Sequence, residues 1–212
     1  MQRLLAIILA AALGCHPSAG LASVSPDVLK RTRDPDWPCI QAKVPELSAA
    51  AVWSGPPIEE ALQAWSEDDG VAQLAGELAQ RRMPLEDATA AIKAFSAGLD
   101  PNVRAKRLTL LFAGVFETLN RERADVMEGI GRYARKQKAL AEEIRGATAK
   151  LQDPSTAPAD PQQSTMLNDQ VIWQTRIFNE RRAALTFVCE VPSLIEQRLF
   201  ALARAIQAEL PK

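Results

Sequence analysis

From Asn102 to Asp153 the chain contains no proline, and its apolar residues recur at alternating intervals of four and three. Leu108, Phe112, Val115 and Leu119 open the series, and Ile130, Tyr133, Gln137, Leu140, Ile144, Ala147 and Leu151 continue it. The step from Leu119 to Ile130, with Val126 between, departs from the pattern and reads as one stutter in a heptad series. Such spacing keeps one face of a helix apolar over its whole length and demands a second helix to cover it. Asp100-Pro101 supplies the start, a side-chain cap followed by the residue tolerated at the first helical position.

A second series answers the first. After the short break Asp153–Pro161, rich in proline and read as a turn, Leu167, Val171, Gln174, Phe178, Arg181, Leu185, Val188, Pro192, Ile195, Leu199, Leu202 and Ile206 keep the same spacing. Asp160-Pro161-Gln162-Gln163 resembles a capping box at its start. Two arms of about fifty residues, each roughly 75 Å if straight, joined by a tight turn, predict an antiparallel helical hairpin over 101–210. Pro192 sits in the seam and removes the amide bond to the Val188 carbonyl, so one kinked helix is expected there. A crude register folded at the turn sets Gly129 and Gly131 opposite Ala183 and Ala184, where small residues would allow close approach. It also brings Arg181, a charged seam residue, near Glu128, so a buried Glu128–Arg181 pair is expected.

Three short helices are predicted between residues 56 and 98. Pro56-Pro57 with Glu59-Glu60 starts the first, whose apolar face is Ile58, Ala61, Leu62 and Trp65. "DGVAQLAGELAQRR" gives the second and "PLEDATAAIKAFSAG" the third, with Gly98 in the place of a left-handed cap. The acidic run Ser66–Gly70 lacks the alternating ligands of a calcium loop and reads as a turn between helices. The hairpin is densely apolar away from its turn, in "LTLLFAGVF" and "LTFVCEVPSLIEQRLFALARAI", and more polar from about Arg132 to Arg182. A wide apolar stripe wants several neighbours and a narrow one suits two helices. The short helices should therefore pack at the open end, leaving the turn end to project. The fold class is all-α, with one helical domain over 56–212.

Before this domain lies a different composition. Residues 23–55 hold repeated prolines and two of the four tryptophans, and read as an extended arm with a brief helical turn at "AAAVW". Trp37 and Trp53 are expected to pack on the core. Residues 1–22 resemble a cleaved export signal: Arg3, an apolar run from Leu4 to Gly14, Pro17, and Gly20-Leu21-Ala22 before Ser23. Export predicts a periplasmic or secreted protein. Cys15 after Gly14 supports an alternative, a lipid-anchored envelope protein attached to a membrane through that cysteine.

Removal of residues 1–22 also removes His16, the one histidine, and Arg3, leaving a chain slightly more acidic than the net charge of −1. That balance gives no field for nucleic acid. Without histidine, Ser-His and Cys-His nucleophiles and the usual zinc sites are excluded. No phosphate loop or dinucleotide fingerprint occurs, so no cofactor or metal is expected. Cys39 and Cys189 remain, and two cysteines in an oxidising compartment should pair. That disulfide would tie the arm to the last helix. Trp173, Ile177 and Phe178 are large apolar residues too widely spread for one seam, so at least one should face outward. The expectation is a non-enzymatic exported protein that binds a protein partner or itself through the hairpin. The rival is a small-ligand binder or enzyme with an interior Arg, Gln and Glu site.

Overall fold

A computed structural model describes residues 34 and 36–211. Among them five α-helices and two single 3₁₀ turns account for all regular structure, and the all-α expectation is met. The export signal, its cleavage after Ala22, and Cys15 lie outside the described residues.

The helices begin where the sequence places caps. Helix α1 spans Glu59–Ala64 and passes into a 3₁₀ turn, Trp65–Glu67. Asp68 then caps α2, Asp69–Ala79, by accepting a hydrogen bond from the Val71 amide at 3.1 Å. The acidic run is thus a helix connection, and its charge is also used elsewhere: Arg107 donates to both Asp68 oxygens at 2.7 and 2.8 Å. Helix α3, Leu85–Ala97, carries Glu86 and Asp87 in its first turn, where anions suit the dipole. Gly98 ends it without the expected left-handed geometry. Its φ is −80° and its amide donates to the carbonyls of Ala94 and Phe95, because the chain needs only Leu99 and Asp100 to reach the next helix.

Helix α4, Pro101–Gln152, is 52 residues long, and α5, Pro161–Ala208, is 48. Asp100 and Asp160 cap them by accepting from the amides of Asn102 and Gln162. Cross-helix bonds run in antiparallel order. Arg123 pairs with Glu196 at 2.6 Å. Further toward the turn, Tyr133 donates to the Arg181 carbonyl at 3.2 Å and Gln137 to the Phe178 carbonyl at 3.2 Å. Pro192 lies inside α5, buried, and the helix continues through it.

Burial is concentrated at one end. Leu108, Phe112, Val115 and Leu119 of α4, and Ile195, Leu199, Leu202 and Ile206 of α5, are fully buried. Helices α1 and α2 pack on α4, while α3 packs on α5. Trp53 joins this core as expected: its ring stacks on Phe112, centroids 4.0 Å apart and nearly parallel, and its indole donates to the Pro56 carbonyl. In the stutter between Leu119 and Ile130 the buried positions are Arg123 and Met127. Steps of four, four and three carry the seam across the interval with a charged residue inside it. Near the turn the seam thins, and the buried amide oxygens of Gln137 and Gln174 have no protein partner.

The glycines of α4 divide into two kinds. A Cβ on Gly114 would come within 2.7 Å of the Trp65 ring and 2.9 Å of the Ala75 Cβ, so this position admits α1, its following turn and α2 onto α4. Gly129 and Gly131 do not mediate close helix approach. A Cβ there would meet only arginines of the same helix, at 3.8 and 3.6 Å, and Ala183 and Ala184 are exposed.

Gly114→Ala should therefore lower unfolding stability by about 1–2 kcal/mol, overpacking outweighing the helix-propensity gain. Gly129→Ala should raise it slightly. Urea unfolding of the two variants checks both signs.

Candidate functional site

The arm is held against the two long helices by side chains far apart in sequence. Asp34 accepts from the Asp36 amide at 2.9 Å and pairs with Lys43 at 2.7 Å. The Lys43 hydrogen bond holds the Asp34 carboxyl below its ordinary range. The Trp37 indole donates to the Gln41 carbonyl at 2.6 Å, and Trp37 is half-buried. Cys39 and Cys189 are disulfide-bonded, with Cα atoms 5.6 Å apart. The Arg123 guanidinium donates to the Val44 carbonyl at 2.6 Å, and Asn120 accepts from the Leu47 amide at 3.0 Å. Lys138 reaches Asp36 at 3.5 Å.

Beneath the arm lies a cleft of about 290 Å³, lined among others by Trp37, Val44, Arg123, Met127 and Glu196. That is the lower end of the size range for small-molecule sites. Arg123 is only 3% exposed, and its charge is already answered by Glu196 and by a backbone carbonyl. The pair locks arm, α4 and α5 together. Among the described residues no group of three His, Cys, Asp or Glu side chains could hold a metal ion.

The other buried guanidinium belongs to Arg198, 8% exposed. It donates twice to the Leu78 carbonyl, at 2.9 and 2.7 Å, and once to the Met83 carbonyl, at 2.9 Å. These carbonyls end α2 and lead into α3, so one side chain on α5 ties down the connection between two helices. Burial pulls its pKa down from the ordinary arginine value, and the charge-assisted bonds keep the cation in place. Neither arginine stood out in the sequence. A charged residue in an apolar series carries no local sign of partners 79 or 120 positions away.

The expected Glu128–Arg181 pair is not formed. Glu128 bonds to Arg132 one turn along its own helix at 2.5 Å, and both Glu128 and Arg181 are exposed. The true cross-helix contact at this level is Tyr133 to the Arg181 backbone. The seam takes the backbone inward, and the long arginine side chain reaches solvent.

The three large apolar residues of which at least one is expected to face outward separate. Phe178 and Ile177 are half-buried, and Phe178 lines a cleft with Pro38, Ala134 and Leu185. Trp173 is 61% exposed, and its neighbour Ile172, which the spacing did not single out, is 60% exposed. Met166 before them and Phe187 after them on the same helix are 67% and 73% exposed. No helix among the described residues is long and apolar enough to cross a membrane.

No protein-family model, curated protein or solved structure matches the chain.

Peptide mapping without reduction should recover the peptides of Cys39 and Cys189 joined. The bond closes a separation of 150 residues, for which the chain-entropy treatment gives a stabilisation of about 5 kcal/mol. Reduction should lower the denaturant midpoint accordingly, and an unchanged midpoint would show that the arm is held without it.

Proposed function

We propose that this chain is an exported, non-enzymatic helical protein that works by protein–protein contact through its long hairpin. The observation that carries the reading is the set of large apolar side chains left in solvent on α5, led by Trp173. Solvent-facing tryptophan beside isoleucine is costly for solubility and matches the composition of contact surfaces. The disulfide between Cys39 and Cys189 suits an oxidising compartment, which supports export to the periplasm or beyond.

The hairpin's turn end projects from the bundle in this reading. Its stability is marginal, because a two-helix seam buries little and two glutamine oxygens lack partners there. A projecting arm of that kind is useful if something grips it. Attachment to a membrane through Cys15 would change where the protein acts and leave the contact surface as it is. The ligand-binder or enzyme reading has less support. The clefts near the arm are small, and the buried arginines are committed to structural partners.

The test is a paired substitution, Ile172→Gln with Trp173→Gln. Both side chains are exposed, so thermal unfolding should shift by no more than about 0.5 kcal/mol in stability, while crosslinking of the protein to a partner or to itself in the cell envelope should be lost. Retained crosslinking with unchanged stability would remove this surface from the account. A large fall in stability would place the two residues in the core.

A further inference from the structure

Helix α5 carries a second apolar series beside the one it turns toward α4. Trp173, Ile177, Ala184, Phe187, Val191 and Leu194 follow steps of four and three, with Glu180 in the one remaining place. Spacing of that kind is the mark of a second helical seam. Trp173, Phe187 and Leu194 are 61%, 73% and 52% exposed, Ala184 is exposed, and Ile177 and Val191 are half-buried.

This series has a covered end. One heptad step from Val191 lies Arg198, bonded to the carbonyls of Leu78 and Met83, and α3 packs on α5 at that end. The face that α3 covers continues toward the turn, where Val191 still leans on the core while Phe187 and Trp173 stand in solvent. The arm runs elsewhere: it attaches through Cys189 and the Arg123–Glu196 pair. From Trp173 to Leu194 this partly exposed face is about 32 Å long, and it presents on the order of 500 Å² of apolar surface, approaching the roughly 800 Å² per partner of a stable interface once polar flanks are added.

We propose that this face is covered by the same face of a second copy of the chain, α5 against α5, antiparallel about a two-fold axis near residue 182. The proposal rests on the contact reading given above and names its partner. The sequence is self-complementary in that register. Trp173 falls opposite Val191 of the second copy, Ile177 opposite Phe187, and Glu180 opposite Ala184. On the flank, Arg176 falls opposite Glu190 of the second copy, and the symmetry makes this pair twice. In the single chain Arg176 uses its Nε to bond Glu180 at 2.9 Å, leaving its two terminal nitrogens for Glu190. Large residues meet medium ones, unlike charges meet, and the one charged seam residue lies opposite alanine, with its outer edge reaching solvent.

Sedimentation equilibrium of the disulfide-bonded protein reads the outcome. The unaltered chain should be dimeric at about 10 μM, and Phe187→Glu should be monomeric with helix content and thermal midpoint retained. Arg176→Glu and Glu190→Arg should each weaken the dimer at least about tenfold, since each sets two like-charge pairs across the axis. Mixing these two variants should restore a dimer, a heterodimer in which both pairs are again unlike. A role for either residue only within its own chain would give no rescue on mixing. A monomer at about 100 μM would overturn the second copy as occupant. If the Ile172 and Trp173 substitutions then still abolished crosslinking in the envelope, contact with a different protein would remain. A dimer indifferent to Phe187→Glu, or variants that fail to rescue each other, would place any self-association on another face and equally overturn this one.

Discussion

Neither long helix can keep its shape alone in water, and the packing of Leu108–Leu119 against Ile195–Ile206 fixes both. Helical segments are marginal until an apolar face is covered, and here the cover is complete at one end only. There, four fully buried residues of α4 meet four of α5, and Phe112 carries Trp53 stacked on its outer side. The other elements follow from that junction. Gly114 lets Trp65 and α2 approach α4, α3 closes over α5, and the arm is laid across the outside. Toward the turn the same two helices have only each other.

Two buried arginines divide the remaining work. Arg198 satisfies carbonyls at the end of α2 and the entry to α3, and Arg123 joins Glu196 to the backbone of the arm. Cations this deeply placed stabilise only when every neighbour is in position, since removing one partner strands the other. They make the bundle specific as much as stable.

The helices were legible because their signals are local. Asp100-Pro101 and Asp160-Pro161 cap within two residues, and four-three spacing is visible along one segment. The pairing of Cys39 with Cys189 was legible by elimination, on the expectation that Cys15 leaves with the export signal. What escaped the sequence was everything that depends on which flank of a helix meets a distant segment. Glu128 was assigned to Arg181 because a fold at the turn sets their positions level, but level positions can face different ways, and an arginine one turn away satisfied Glu128 first. Arg123 filled the stutter unseen, and the exposure of Phe187 became clear only once α3 and the arm were placed on the two sides of α5. The second apolar series was present in the sequence throughout. The denser first series masked it.

If stability resides at the open end and the proposed cover belongs on α5 between Met166 and Leu194, backbone protection should differ sharply along the hairpin. Amide hydrogen exchange of the disulfide-bonded protein at high dilution tests it most directly. The slowest exchange is expected within 108–119 and 195–206, with much faster exchange from 140 to 175, and added protection over 173–194 as concentration rises. Uniform slow exchange along both helices in the dilute protein, independent of concentration, would contradict it.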